Sequence, residues 1–178
     1  MITSRCPSIG RIPVRKNDER KAISDMLKEG DKAPAFELTG DGGEMVGLSQ
    51  FKGKPVVVYF YPKDDTSGCT VEAVGFSERI GEFRKAGAEV LGISPDGVKS
   101  HGKFRDKYGL KVTLLADEER QAIEAYGVWA EKKMYGRTYM GVERSTFLIG
   151  GDGKLKRVWR GVKIPGHVDE VLSAVKDL

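Results

Sequence analysis

Cys69 stands in "YPKDDTSGCTVEAVGF" (residues 61–76), with Pro62, Thr66, Ser67, Gly68 and Thr70 around a single thiol that follows a β-branched and aromatic run. A cysteine reacts as its thiolate. The spacing places Cys69 in the opening turn of a helix, where unpaired backbone N–H groups and the positive end of the helix dipole favour that anion. Thr66 and Ser67 are both good N-cap types, Gly68 lets the backbone approach a neighbour, and Pro62 gives the loop a rigid entry. Such a sulfur can do nucleophilic or redox chemistry. The plainer reading, a buried structural cysteine, is the common fate of a lone thiol. Here the flanks are polar and turn-forming, which favours the reactive reading.

The remaining composition excludes other classes. At 178 residues the chain suits one domain, with 39% hydrophobic and 31% charged residues. No stretch approaches the ~20 apolar residues that cross a bilayer. The formal charge is +4, yet residues 1–25 alone carry six basic and three acidic side chains, so only +1 belongs to everything after Asp25. No clustered basic face is visible, which argues against nucleic acid. Two cysteines (Cys6 and Cys69) and two histidines (His101 and His167) match no metal spacing. No metal or cofactor is expected. Two cysteines also make no disulfide framework, so a reducing, cytoplasmic setting is expected. His101 and His167 lie in no motif and read as surface residues.

Residues 1–25 show neither a strand nor a helix period and read as a disordered basic tail. A translation start at Met26 and an organelle transit segment are the alternatives. From residue 26 to 178 one domain follows. "MVGL" (45–48) reads as a short strand, and "PVVVYFY" (55–61) as a strand buried on both faces, Tyr59 and Phe60 among its core residues. Val71, Val74, Ile80 and Phe83 predict one helix over 69–86 ending at Gly87. "AEVLGIS" (88–94) and "VTLLAD" (112–117) are strands; 97–109 and 119–127 are helices. Residues 128–143 read as a long irregular connection, in which Trp129 and Tyr135 either wall a pocket or cover the core. "STFLI" and "LKRVWRG" flank "GGDG" as a hairpin, and "GHVDEVLSAVKDL" closes the chain as an amphipathic helix. This order predicts an α/β protein with a mixed central β-sheet flanked by helices on both faces, the arrangement of the thioredoxin fold.

Pro62-x-x-x-Thr66-x-x-Cys69 resembles the active-site signature of the peroxiredoxins, and the longer stretch "YFYPKDDTSGCTVEAVGF" resembles their bacterioferritin comigratory protein, or peroxiredoxin Q, branch. The similarity continues through "KAPAFEL", "LSQFKGKPVVVYFYP", "LGISPD" and "GVERSTFLI", covering residues 27–178. The resemblance implies a thiol-dependent peroxidase acting on hydrogen peroxide and organic hydroperoxides, with Cys69 becoming a sulfenic acid. It implies that Thr66 hydrogen-bonds sulfur and peroxide, that Gly68 and Cys69 offer backbone N–H donors, and that Pro62 shields the site. Arg144 matches the family's active-site arginine. Glu72 matches an orienter of that arginine, or is an exposed helix glutamate.

One departure matters. Many members of the branch carry a resolving cysteine five residues after the first, and here that position is Val74; the usual proline after the threonine is Ser67. The expectation is therefore a one-Cys cycle, its sulfenic acid reduced by an external thiol from thioredoxin or a glutathione/glutaredoxin system. Members of the branch imply a monomer or weak dimer. A thiol-disulfide oxidoreductase would want a Cys-x-x-Cys pair, which residues 66–72 lack. The other competitor is a redox-sensing or chaperone-like protein with Cys69 as its switch.

Overall fold

The structure is a computed structural model, described here for residues 26–178. The expected tail, its alternatives and Cys6 lie outside the described residues. The apolar run becomes strand β3 (Val56–Phe60), every residue of which is buried. Strands β4 (Glu89–Ser94) and β5 (Thr113–Ala116) extend the sheet in parallel on one side. On the other side β8 (Ser145–Ile149) and β9 (Leu155–Trp159) add antiparallel. Strands β1 (Glu37–Gly40) and β2 (Met45–Gly47) finish the far edge, giving the order β2-β1-β5-β4-β3-β8-β9.

Alternation along β3 divides the core. Val57, Tyr59 and Tyr61 face a layer built on helices α1 (Ser67–Glu78), α2 (Ile80–Lys85), α3 (Val98–Tyr108) and α5 (His167–Lys176). Val56, Val58 and Phe60 face the opposite layer, which holds Phe36, Phe147 and the short helix α4 (Gln121–Ala125). Side chains of period two on a strand can serve both layers only when both faces are apolar, as they are here. The mixed sheet with helices on both faces is the thioredoxin-like α/β arrangement.

Three expectations change. The helix over 69–86 is two helices that break at Arg79 (φ −98°, ψ 2°). Gly75, Ser77 and Gly81 are weak helix formers around the break, and the Ser77 hydroxyl accepts the Lys111 N–H at 3.0 Å. The apolar period ran through the break because Phe76, Ile80 and Phe83 face the same core on either side of it.

Residues 128–143 are no irregular connection. They contain β6 (Trp129–Met134) and β7 (Arg137–Val142), a separate two-stranded antiparallel ribbon. An exposed ribbon buries too little for its sequence to show a hydrophobic period. Trp129 covers the core, with the Arg120 guanidinium 4.5 Å from its ring centroid. Tyr135 does neither job expected of it, since it is 97% exposed at the ribbon's tip.

The two histidines are buried, not on the surface. His101 Nδ1 lies 2.7 Å from Asp64 Oδ2 and its Nε2 lies 3.0 Å from the Leu115 carbonyl. His167 Nε2 lies 2.8 Å from Thr146 Oγ1. Their partners come from residues 14 to 37 positions away, which no local pattern reveals.

Candidate active site

The chain leaves β3 through Tyr61, whose N–H still bonds to Ile93, and passes the half-buried Pro62 into the loop that starts α1. Buried contacts hold this loop. Asp64 receives the Tyr61 hydroxyl at 2.7 Å and the Ser100 hydroxyl at 2.7 Å, besides facing His101. Burial pushes the Asp64 carboxyl up, but the bonds from His101, Tyr61 and Ser100 prevail and hold it below the usual carboxylate range. Asp65, at φ 55°, reaches Lys107 and Tyr108 on α3. None of these anchors is visible in the sequence pattern around Cys69.

Thr66 is the N-cap of α1. Its hydroxyl donates to the Lys63 carbonyl at 2.9 Å, so its proton does not go to the sulfur as the resemblance implies. With the proton committed there, the oxygen's lone pairs remain available to accept a bond from a ligand. The Thr70 N–H makes the first intrahelical bond, to Thr66 at 2.9 Å. The N–H groups of Ser67, Gly68 and Cys69 precede it and have no partner within the helix.

Cys69 is 1% exposed. Its sulfur receives Arg144 Nη2 at 3.2 Å, while Nη1 of the same guanidinium donates to Glu72 Oε2. Glu72 lies three residues beyond Cys69 on the same helix face, and the two-pronged arginine spans them. Arg144 sits between the end of β7 and the start of β8, and its carbonyl accepts the Val162 N–H at 2.9 Å. Gly68 makes room for it: a Cβ there would come 3.3 Å from Arg144 Nη2 and 3.0 Å from Ile164 Cδ1. Val74, at the position of the branch's resolving cysteine, packs against the core.

The sequence thus locates Cys69, Thr66, Gly68, Glu72 and Arg144, and the fold brings Cys69, Glu72 and Arg144 into one cluster. Glu72 is fully buried, so it is no exposed helix glutamate. Lys132, on β6, was missed. Burial and then Arg144 pull its ammonium down, while the charges of Cys69 and Glu143 pull it up, so it lies within electrostatic reach of the sulfur. No signal in the stretch it occupies could have marked it.

Burial raises the Glu72 carboxyl to about 7, with Arg144 pulling the other way. A carboxyl raised in the folded state binds more protons folded than unfolded, so it removes stability as pH climbs from 4.5 to about 7. The effect is on the order of 3 kcal/mol. His167, lowered to about 4 first by burial, acts oppositely: its contribution is lost as pH falls from 6.5 toward 4. Urea unfolding of wild type and Glu72→Gln at pH 4.5 and 7.5 separates the two. The wild type should lose about 3 kcal/mol relative to the variant across that interval, and parallel curves would refute the assignment.

A model of the AhpC/TSA family matches residues 29–158. The chain belongs to the AhpC/TSA family.

Within this family the chain is 50% identical over 152 residues to Peroxiredoxin Bcp of Bacillus subtilis, covering 85% of this chain and 97% of that one. It is 47% identical over 151 residues to Peroxiredoxin Bcp of Escherichia coli, covering 85% and 97%. Among solved structures it resembles Xanthomonas campestris Peroxiredoxin Q (TM-score 0.76, 44% identity, 80% and 90% covered). It also resembles a Xylella fastidiosa PrxQ cysteine-to-serine mutant (TM-score 0.82, 38% identity, 86% and 98% covered). A further Xanthomonas campestris structure, of its bacterioferritin comigratory protein, concerns that protein's alkyl peroxide reduction activity. The chain is a peroxiredoxin of the Bcp/peroxiredoxin Q kind and a thiol-dependent peroxidase, taking a peroxide as substrate and a thiol as reductant. Among the described residues of this peroxiredoxin no helix is long and apolar enough to cross a membrane.

Proposed function

We propose that this peroxiredoxin reduces hydrogen peroxide and organic hydroperoxides in a one-Cys cycle centred on Cys69. The observation that carries the reading is the buried sulfur at the front of α1 with an arginine nitrogen 3.2 Å away. The Cys69 thiolate attacks the terminal oxygen of ROOH, the O–O bond breaks, and Cys69 becomes Cys–SOH while RO⁻ takes a proton and leaves as ROH. Positive charge from Arg144 favours the attacking anion and then the charge that develops on the departing oxygen. The N–H groups of Gly68 and Cys69 add further donors at the helix start, and the Thr66 oxygen accepts from the peroxide's O–H. Glu72 orients Arg144 and neutralises it in the interior. Pro62 screens the site from water. The alkyl peroxide work on the Xanthomonas relative supports organic hydroperoxides as substrates.

Val74 offers no thiol, so the sulfenic acid is reduced from outside, by thioredoxin or by a glutathione/glutaredoxin system, in a cytoplasmic protein that is a monomer or weak dimer. Mass spectrometry after a stoichiometric peroxide pulse tests the cycle. The expected product is Cys69 with one added oxygen, or its mixed disulfide once a thiol is supplied. An intramolecular Cys6–Cys69 disulfide as the main product would remove the one-Cys scheme.

A further inference from the structure

The ribbon β6–β7 stands outside the main sheet, yet β7 ends at Val142, two residues before the arginine that touches the sulfur. Its strands of six residues make an arm about 20 Å long. Most of this arm covers nothing among the described residues. Met134, Tyr135, Tyr139 and Met140 are all exposed, four of the nine large exposed hydrophobic residues among those described. Lys132, Lys133 and Arg137 lie among them, and none forms an ion pair among the described residues. Register places Lys132 opposite Tyr139 and Met134 opposite Arg137, so these four share one face.

The tip adds an independent sign. Tyr135 and Gly136 both take positive φ (50° and 74°), the backbone of a two-residue turn that prefers Asn-Gly. A bulky aromatic residue in the left-handed region is strained. Here it is also almost wholly exposed, so no packing among the described residues offsets the strain. Tyrosine, methionine and arginine are the residue types enriched where proteins meet.

We propose that this arm is the docking surface for the electron donor, and that the donor is a small dithiol protein whose reactive sulfur is ringed by apolar and acidic residues. The inference rests on the external-thiol reading above. A buried sulfenic acid needs a donor brought to bonding distance: Cys69–SOH and the donor's first thiol form Cys69–S–S–donor and water. The donor's second thiol then displaces Cys69 as a thiol and closes the donor's own disulfide. An apolar surface spread along the arm exceeds what a tripeptide thiol can cover. Two copies of a cationic arm repel each other, whereas an acidic rim is attracted.

Steady-state turnover with reduced thioredoxin as the probe tests this, with dithiothreitol as the small-thiol control. The Arg137→Glu variant, on the face shared by Lys132, Met134 and Tyr139, should raise the KM for thioredoxin about tenfold at low salt, the gap shrinking as salt rises. Tyr135→Asn suits the turn, so it should raise the Tm while raising that KM about fourfold, a combination no purely structural role predicts. Single-turnover oxidation by hydrogen peroxide and dithiothreitol-driven turnover should match wild type in both variants. An unchanged KM in both variants overturns the proposal, as does an equal loss with dithiothreitol, or a wild type served by glutathione alone and not by thioredoxin. So does dimerisation, or binding to anionic phospholipid vesicles, that the charge reversal abolishes while KM stays fixed. A wild type that consumes no peroxide even with dithiothreitol overturns the catalytic cycle itself, which is a different result.

Discussion

Cys69→Ser should lower the second-order rate constant for hydrogen peroxide by at least about 10⁴-fold, to the background of the assay. The hydroxyl is nearly isosteric with the thiol, so the change removes the nucleophile and leaves the packing of a 1%-exposed position almost intact. Serine is not ionised at neutral pH, and an alcohol has no path to a sulfenic acid. Competition against a reference peroxidase measures the constant, and urea unfolding within about 1 kcal/mol of wild type shows the fold preserved. A serine variant that keeps turning over peroxide would remove Cys69 from the mechanism.

Arg144→Ala comes next in size. It takes away the donor 3.2 Å from the sulfur and, in the cycle proposed above, the positive charge that would face the departing oxygen. Loss of one such preorganised donor typically costs about 10²–10³-fold in rate. The same change leaves Glu72 buried without its partner, Oε1 already having none among the described residues. Stability should therefore fall by about 3 kcal/mol near neutral pH. Raising the proton concentration offers Glu72 a way out, so the stability loss should narrow toward pH 5, below the value of about 7 to which burial raises the carboxyl. Arg144→Lys keeps a charge but not the fork that spans sulfur and carboxylate, and should recover part of the rate only. Stopped-flow peroxide consumption and unfolding at pH 5 and 7.5 read both effects. Normal peroxide kinetics in Arg144→Ala would dismiss the role given to Arg144.

What could be read from the sequence depended on how local the cause was. β3 was legible because seven consecutive apolar residues can be satisfied only between two layers. The start of α1 was legible because the turn-forming run from Pro62 to Gly68 is local, although the Thr66 side chain makes no capping bond. The break at Arg79 was not, since the weak helix formers Gly75, Ser77 and Gly81 do not outvote a continuous apolar face, and the bond that Ser77 accepts there comes from an amide 34 residues on. Nor was the β6–β7 arm, whose exposed alternation of lysine, methionine and tyrosine carries no burial signal.

The sequence by itself determined where the candidate nucleophile lies, the helix end that presents it, the layered α/β order, and the lack of a thiol at Val74. It could name Arg144 and Glu72 only through likeness to relatives. Tertiary structure alone decided that the two meet at the sulfur, that Thr66 gives its proton to Lys63, that both histidines are interior, and that a largely exposed ribbon leads into Arg144. The reason is physical: backbone propensity and burial period are summed over neighbours in the chain. Guanidinium, carboxylate and imidazole contacts instead join residues tens of positions apart, which become neighbours only when the sheet is assembled.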